Sequence, residues 1–222
     1  MADETRAAIP AAEVKVGLYS ITYEGVWYRG DALTLEQVIG RAKRFGYQGV
    51  EIDGKRPHGN PLDMPKSRCQ QLCNLANDQG IGIYAVAANN DFSSPIPEHR
   101  EAQLVYVREL MRMTVDLGVK LIRVFLAWPG VTPLPEGGGR YDIAQAVWKA
   151  EHKDFSEDQT WAWCLQNLRE AAVAALEGML RCASGAQPGC RGGAESGKRD
   201  WPSPDAMALR RRVRPRRQWH HF

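Results

Sequence analysis

Apolar residues in this chain fall into short runs separated by longer stretches of helical period. Val14-Lys15-Val16-Gly17-Leu18-Tyr19-Ser20-Ile21 is apolar at alternate positions, the period of a strand with one buried face. Thr34 and Gln37 then stand in capping-box spacing, and Leu35, Val38, Ile39, Ala42 and Phe45 recur every three to four residues, which predicts a first helix. Gly46 closes it and leads directly into Tyr47-Gln48-Gly49-Val50-Glu51-Ile52. The same joint recurs at Gly80, before Ile81 to Val86, and at Gly118, before Val119 to Leu126. A helix closed by a left-handed glycine and followed by a short buried run is the joint of a parallel β/α protein. A second helix is predicted from near Asp63, with Pro65 in its first turn and Cys69, Leu72, Cys73 and Ala76 inward. A third starts near Pro97 and turns Leu104, Val107, Met111 and Val115 inward. A fourth covers about Ser156 to Leu176, with Trp161, Cys164, Leu165, Leu168, Ala172 and Ala175 on one face.

The predicted strands are Val14–Tyr23, Gly49–Asp53, Ile81–Asn89 and Leu121–Trp128, adjacent and parallel, each followed by a helix. Such an order closes either as an open doubly wound sheet or as a (β/α)8 barrel. The first strand leads into Ile21-Thr22-Tyr23-Glu24 and not into a glycine-rich turn, which argues against a dinucleotide-binding sheet. A full barrel takes about 250 residues. Four units here extend to residue 178, so the expectation is the first half of a barrel, residues 1–178, followed by something else. Pro129 to Lys153 reads as an insertion between the fourth strand and fourth helix, on the face where a barrel carries its chemistry. Gly178 stands where a fourth joint would be, but Met179-Leu180-Arg181-Cys182-Ala183-Ser184-Gly185 offers no strand.

Charge sharpens that boundary. Residues 179–222 hold nine Arg and one Lys against three acidic residues, a net of +7, which leaves −4 on residues 1–178. The tail includes Arg210-Arg211-Arg212-Val213-Arg214-Pro215-Arg216-Arg217 and has no periodic apolar pattern. It reads either as a disordered basic arm able to bind nucleic acid or as out-of-frame sequence from a GC-rich gene. No window approaches the roughly 18 uninterrupted apolar residues of a membrane helix. Met1 to Pro10 lacks the apolar core of a signal peptide, and the five cysteines form no disulfide framework. The expected location is therefore cytoplasmic, with no membrane partner.

In a parallel barrel the strand C-termini carry function. Here they present Tyr23 and Glu24, then Glu51 and Asp53 with Lys55, Arg56 and His58, then Asn89, Asn90 and Asp91, then Trp128. Glu51 lies within a strand, and a carboxylate turned into the helix layer would be costly, so it is expected at the barrel mouth. Arg123 follows the same logic, meeting a phosphate or pairing with Glu51. His58 reads as a contact to a substrate hydroxyl or phosphate, or as an ordinary loop histidine. Asn89-Asn90-Asp91 reads equally as substrate-facing or as an Asx turn toward Pro95. Gly137-Gly138-Gly139-Arg140 is a weak phosphate-cradle pattern and a common hinge. Cys69 and Cys73 are four apart on a helix but lack a second ligand pair, so they read as core, not metal ligands.

Gly49-Val50-Glu51-Ile52-Asp53, Ala87-Ala88-Asn89-Asn90-Asp91-Phe92, Arg100 to Gly118 and Arg123-Val124-Phe125-Leu126-Ala127-Trp128 together resemble the sugar phosphate isomerase/epimerase family, the xylose-isomerase-like TIM barrels. The resemblance covers Val14 to Gly178. It implies aldose–ketose interconversion, ketose epimerisation or dehydration of inosose-type substrates on a sugar or sugar phosphate. It also implies a divalent metal held by Glu, Asp, His and Glu on later strands. Those strands have no counterpart in this sequence, so no metal ligand and no catalytic residue is assigned, and the chain is expected to be inactive by itself. The substrate-facing residues implied are Glu51, Arg56, His58, Asn89, Arg123 and Trp128. An apurinic-site endonuclease of the same superfamily is the alternative enzyme. It needs clustered His and Glu ligands for zinc, and His58, His99 and His152 do not supply them. Nucleic-acid binding through the arginine tail is the non-enzyme alternative, and it is disfavoured. Unpaired edges on the first and last strands further imply self-association.

Overall fold

The computed structural model describes residues 15–27 and 29–184, which lie within the first of the two compact units of the chain, residues 1–192. The arginine-rich run and the alternatives raised for it lie outside the described residues. Four strands, β1 (Gly17–Tyr19), β2 (Gly49–Asp53), β3 (Gly82–Ala87) and β4 (Ile122–Arg123), form one sheet in that order. Every pair is parallel. The intervening helices are α1 (Leu35–Arg44), α2 (Lys66–Gln79) and α3 (Pro97–Asp116). This is an α/β fold with the topology of part of a TIM barrel.

Local chemistry sets the elements. Thr34 and Gln37 form the reciprocal capping box at the start of α1, whose Leu35, Val38, Ile39 and Ala42 are buried. Cys69, Leu72, Cys73 and Ala76 form the buried stripe of α2. The helix-to-strand joints at Gly46, Gly80 and Gly118 all carry φ between 67° and 77°, the left-handed conformation that glycine adopts without a Cβ penalty. Leu18, Val50, Ile52 and Val86 turn outward from the sheet into a core shared with all three helices. Because side chains alternate along a strand, Tyr19, Glu51, Asp53 and Arg123 turn to the opposite, inner face. There the Tyr84 ring lies against Gly17 and Gly49: a Cβ on Gly17 would meet Tyr84 Cε1 at 2.2 Å, and one on Gly49 would meet Tyr84 Cδ1 at 2.9 Å.

Strand β2 has the predicted bounds, whereas β1, β3 and β4 are shorter than the sequence suggests, β1 and β4 for tertiary reasons. β1 stops at Tyr19 because Ser20–Tyr23 winds into a 3-10 turn that sends the Ser20 hydroxyl back to β2. Beyond Arg123, the Asn90 side chain replaces the backbone ladder. Its Nδ2 donates to Phe125 O at 2.6 Å, and its Oδ1 accepts Phe125 N–H at 3.0 Å.

The insertion after β4 has its own structure. Strands β5 (Thr132–Pro133) and β6 (Gly139–Arg140) form an antiparallel hairpin, and helix α4 (Asp142–His152) follows it. Gly137 and Gly138, with φ near +85°, form the hairpin turn, so the glycine run closes a hairpin. Helix α5 (Glu157–Ser184) opens on a reciprocal Ser156–Gln159 cap. It passes through Gly178 without interruption, so no joint stands there. Among the described residues no helix is long and apolar enough to cross a membrane.

Candidate functional site

The C-terminal ends of β1 and β2 meet in a buried charged cluster. Asp53 is fully buried, and its Oδ1 accepts from Tyr19 Oη at 2.9 Å and from Asn89 Nδ2. Its backbone N–H donates to Ser20 Oγ at 2.8 Å. Lys55 Nζ lies 3.3 Å from Glu24 Oε2 and 3.4 Å from Asp53 Oδ2. Neither Glu24 oxygen, nor Asp53 Oδ2, nor Lys55 Nζ has an aligned hydrogen-bond partner among the described residues, so proximity of opposite charge holds this group together. Burial pushes the Tyr19 phenol far above its usual range, and the Asp53 carboxylate adds to that. Tyr106, which donates to Gly54 O at 2.8 Å, is pushed up to about 12, chiefly by burial.

His58 belongs to this cluster, and it is not a surface histidine. Its side chain is buried, with Nε2 2.8 Å from Leu33 O and Nδ1 3.0 Å from Ser20 Oγ and 3.1 Å from Glu24 Oε1. Both ring nitrogens are committed to protein atoms, which suits His58 to holding Glu24 and leaves no nitrogen for a substrate. Arg56, two residues earlier, is exposed and makes a two-pronged pair with Asp63, at 2.5 Å and 2.9 Å. The structure does not bring it to the cluster. Arg123 Nε meets Glu51 Oε1 at 2.8 Å on the inner face, and its guanidinium lies over the Tyr19 and Phe125 rings. Of the two readings the sequence offered for Arg123, a phosphate contact or a pair with Glu51, the structure shows the pair.

The cluster opens into a cleft of about 380 Å³ lined by Lys55, Asn89, Asp91, Gln103, Trp128 and the Pro129–Val131 segment. Asn89 and Trp128, both singled out in the sequence, are among its lining residues. Trp128 extends an aromatic wall: it stacks on Phe125 at 5.4 Å and meets Tyr141 edge-on at 5.8 Å, and Tyr141 stacks on Trp27 at 5.6 Å. A larger cleft, about 430 Å³, lies between Leu33–Glu36 and Pro57–Arg68. The Glu36, Arg68 and Asp63 side chains that line it are already paired, Arg68 with Glu36 and Asp63 with Arg56 outside the lining, so the smaller cleft is the better candidate.

Sequence reasoning named Glu24, Asp53 and Lys55 as strand-end residues without assigning them to the site. Asp53 carries a readable signal, since it sits two residues from Glu51 on the same strand face. Glu24 carries none, because its position depends on the 3-10 turn. Among the described residues no group of three or more His, Cys, Asp or Glu side chains is placed to hold a metal ion.

Burial, above all, raises the Glu24 carboxyl above its usual range, with Asp53 adding to the shift and His58 and Lys55 opposing it. The folded chain therefore holds this proton to higher pH than the unfolded chain does. The stability linked to it is fully present below the unfolded value, about 4.3, and is lost as pH rises through the folded one. Glu24→Gln does not titrate, so its stability relative to the parent should rise from about pH 4 upward. Urea unfolding at several pH values reads the difference, and a difference that stays flat with pH would contradict the assignment.

A model of the xylose isomerase-like TIM barrel family matches residues 39–181. Among curated proteins nothing matches. Similar solved structures include D-psicose 3-epimerase with D-tagatose from Clostridium cellulolyticum H10, at 20% identity and a TM-score of 0.52, over 74% of this chain and 50% of that one. Another is a D-psicose 3-epimerase in the presence of D-fructose, at 15% identity and 0.53, over 74% and 50%. A third is 3-keto-D-glucoside 4-epimerase from E. coli, at 18% identity and 0.51, over 75% and 54%. At these identities the likeness is one of fold. The chain spans about half the length of these structures. With the family match covering more than half of its residues, the chain belongs to the xylose isomerase-like TIM barrel family.

Proposed function

We propose that this chain contributes the sugar-binding half of an isomerase or epimerase site, with a sugar or sugar phosphate seated at the ends of β1 to β4. The cleft lined by Asn89 and Trp128 carries the reading. An aromatic face suits the C–H surface of a sugar ring, and Lys55, Asn89, Asp91 and Gln103 offer donors and acceptors for hydroxyls. In this reading His58 fixes Glu24, the Glu51–Arg123 pair closes the inner face below the sugar, and Arg56 takes no part.

In such enzymes a divalent metal supplies Lewis-acid polarisation of sugar oxygens. The described residues do not fit a metal of that kind, since they hold no ligand group for it. Their role is to bind and orient the sugar, with the proton transfer next to the carbonyl left to groups outside them. The expected result is binding without turnover. Ligand-detected NMR should show D-fructose or D-tagatose contacting the protein, while neither sugar is converted with or without added Mn²⁺. Metal-dependent conversion would overturn the division of labour, and absence of any sugar contact would overturn the reading itself.

A further inference from the structure

We propose that Asp91 selects a hydroxyl group of the bound sugar, and that Trp148, from the insertion, is the positioning residue that aims it. The inference rests on the sugar-binding reading of the cleft. Asp91 Oδ1 accepts two donors from one residue, the Ser93 N–H at 2.8 Å and the Ser93 hydroxyl. This is the Asx turn that the sequence allowed. It occupies only one carboxylate oxygen. Oδ2 has no partner among the described residues, and Asp91 lines the cleft.

The direction of the hydrogen bonds is fixed by chemistry. Trp148 Nε1 lies 2.8 Å from Ser93 Oγ. An indole N–H only donates, so the serine oxygen accepts from it and its own proton goes to Asp91 Oδ1. Ser93 is fully buried, which keeps water from competing. The indole is held in turn by His152, whose ring stacks on it at 3.9 Å and whose Nε2 lies 2.8 Å from Ser93 O. Next to Asp91, Gln103 Oε1 accepts the Asp91 N–H at 3.2 Å, which leaves the Gln103 amide N–H groups available to the cleft. An acceptor that cannot donate therefore stands beside a donor. A hydroxyl satisfies both, by giving its proton to Asp91 Oδ2 and accepting from Gln103. A deoxy carbon satisfies neither, and a keto oxygen would face the carboxylate lone pairs.

Protein-observed NMR titration with D-fructose and its monodeoxy analogues tests this. The parent chain should lose about tenfold or more in affinity when one particular hydroxyl is removed. Asp91→Ala should lose the same factor on D-fructose and should no longer distinguish that analogue. Asp91→Asn keeps Oδ1 for the turn but replaces Oδ2 by a donor. It should lose the same preference, and it covers the case in which the alanine variant does not fold. Trp148→Phe keeps a ring on His152 without the N–H, and should weaken discrimination at that one hydroxyl while leaving the other analogues unchanged. Variants that bind D-fructose with the parent's full preference would overturn this proposal and leave the sugar-binding reading intact. A parent chain that binds neither D-fructose nor its analogues would overturn both.

Discussion

Asp53→Ala is expected to lower the unfolding free energy by about 3–5 kcal/mol, the cost of removing one partner from a buried charge pair. Asp53 accepts from Tyr19 and Asn89 and stands 3.4 Å from Lys55 Nζ, with no exposed surface of its own. Alanine would leave a half-buried phenol and a half-buried amide without their acceptor. It would also leave the ammonium with Glu24 alone, a carboxyl that burial already drives toward its neutral form. Water has little access to compensate. Urea unfolding followed by far-UV circular dichroism reads the loss, and a decrease below about 1 kcal/mol would show that the cluster is better solvated than its geometry implies. Lys55→Met in the Asp53→Ala background should recover part of the loss, because it removes the charge left with too little compensation.

His152→Ala should cost roughly 2–4 kcal/mol, combining a buried carbonyl left unpaired with a lost ring stack. Nδ1 lies 2.7 Å from Trp148 O and Nε2 2.8 Å from Ser93 O, so this one ring ties α4 to the loop after β3. Trp148 O keeps its helical partner, whereas Ser93 O loses its contact across the two segments. Amide exchange in α4 should accelerate more than exchange in α1 or α2, because the change acts at the junction between the insertion and the sheet. Equal acceleration throughout would mean that the ring supports the whole fold and not this junction.

What the sequence disclosed was local. The three left-handed glycine joints, the Thr34–Gln37 cap and the buried stripe of α2 depend on residues within a few positions of one another, and all are present as read. The bounds of β2 were legible, but those of β1 and β4 were not, because distant groups set them: Ser20 turning back to Asp53 ends β1, and Asn90 reaching Phe125 cuts β4 short. His58 read as a substrate contact or an ordinary loop histidine, and not as a buried cluster residue, because its partners, Ser20, Glu24 and Leu33, lie 25–38 residues away. Arg56 read as part of a basic mouth because its partner Asp63 follows seven residues later, at the end of a 3-10 turn that no short pattern announced. Helix α4 was absorbed into an insertion, although Asp142 in its first turn and Lys149 and His152 in its last match the helix dipole. Gly178 misled in the opposite sense, since a glycine can also lie within a helix that continues.

The Asn90 bridge also has a kinetic meaning. In an ordinary parallel pair, the amide of one strand is released only when backbone parts from backbone. Here the Phe125 N–H is held by a side-chain carbonyl, and Phe125 O by the same side-chain amide. A single rotation about the Asn90 χ angles therefore frees both groups at once while the neighbouring Ala88–Arg123 and Phe92–Leu126 bonds remain closed. The seam beyond β3 and β4 has a hinge pin made of one side chain, and the Phe125 amide reports its rotamer rather than the opening of the sheet.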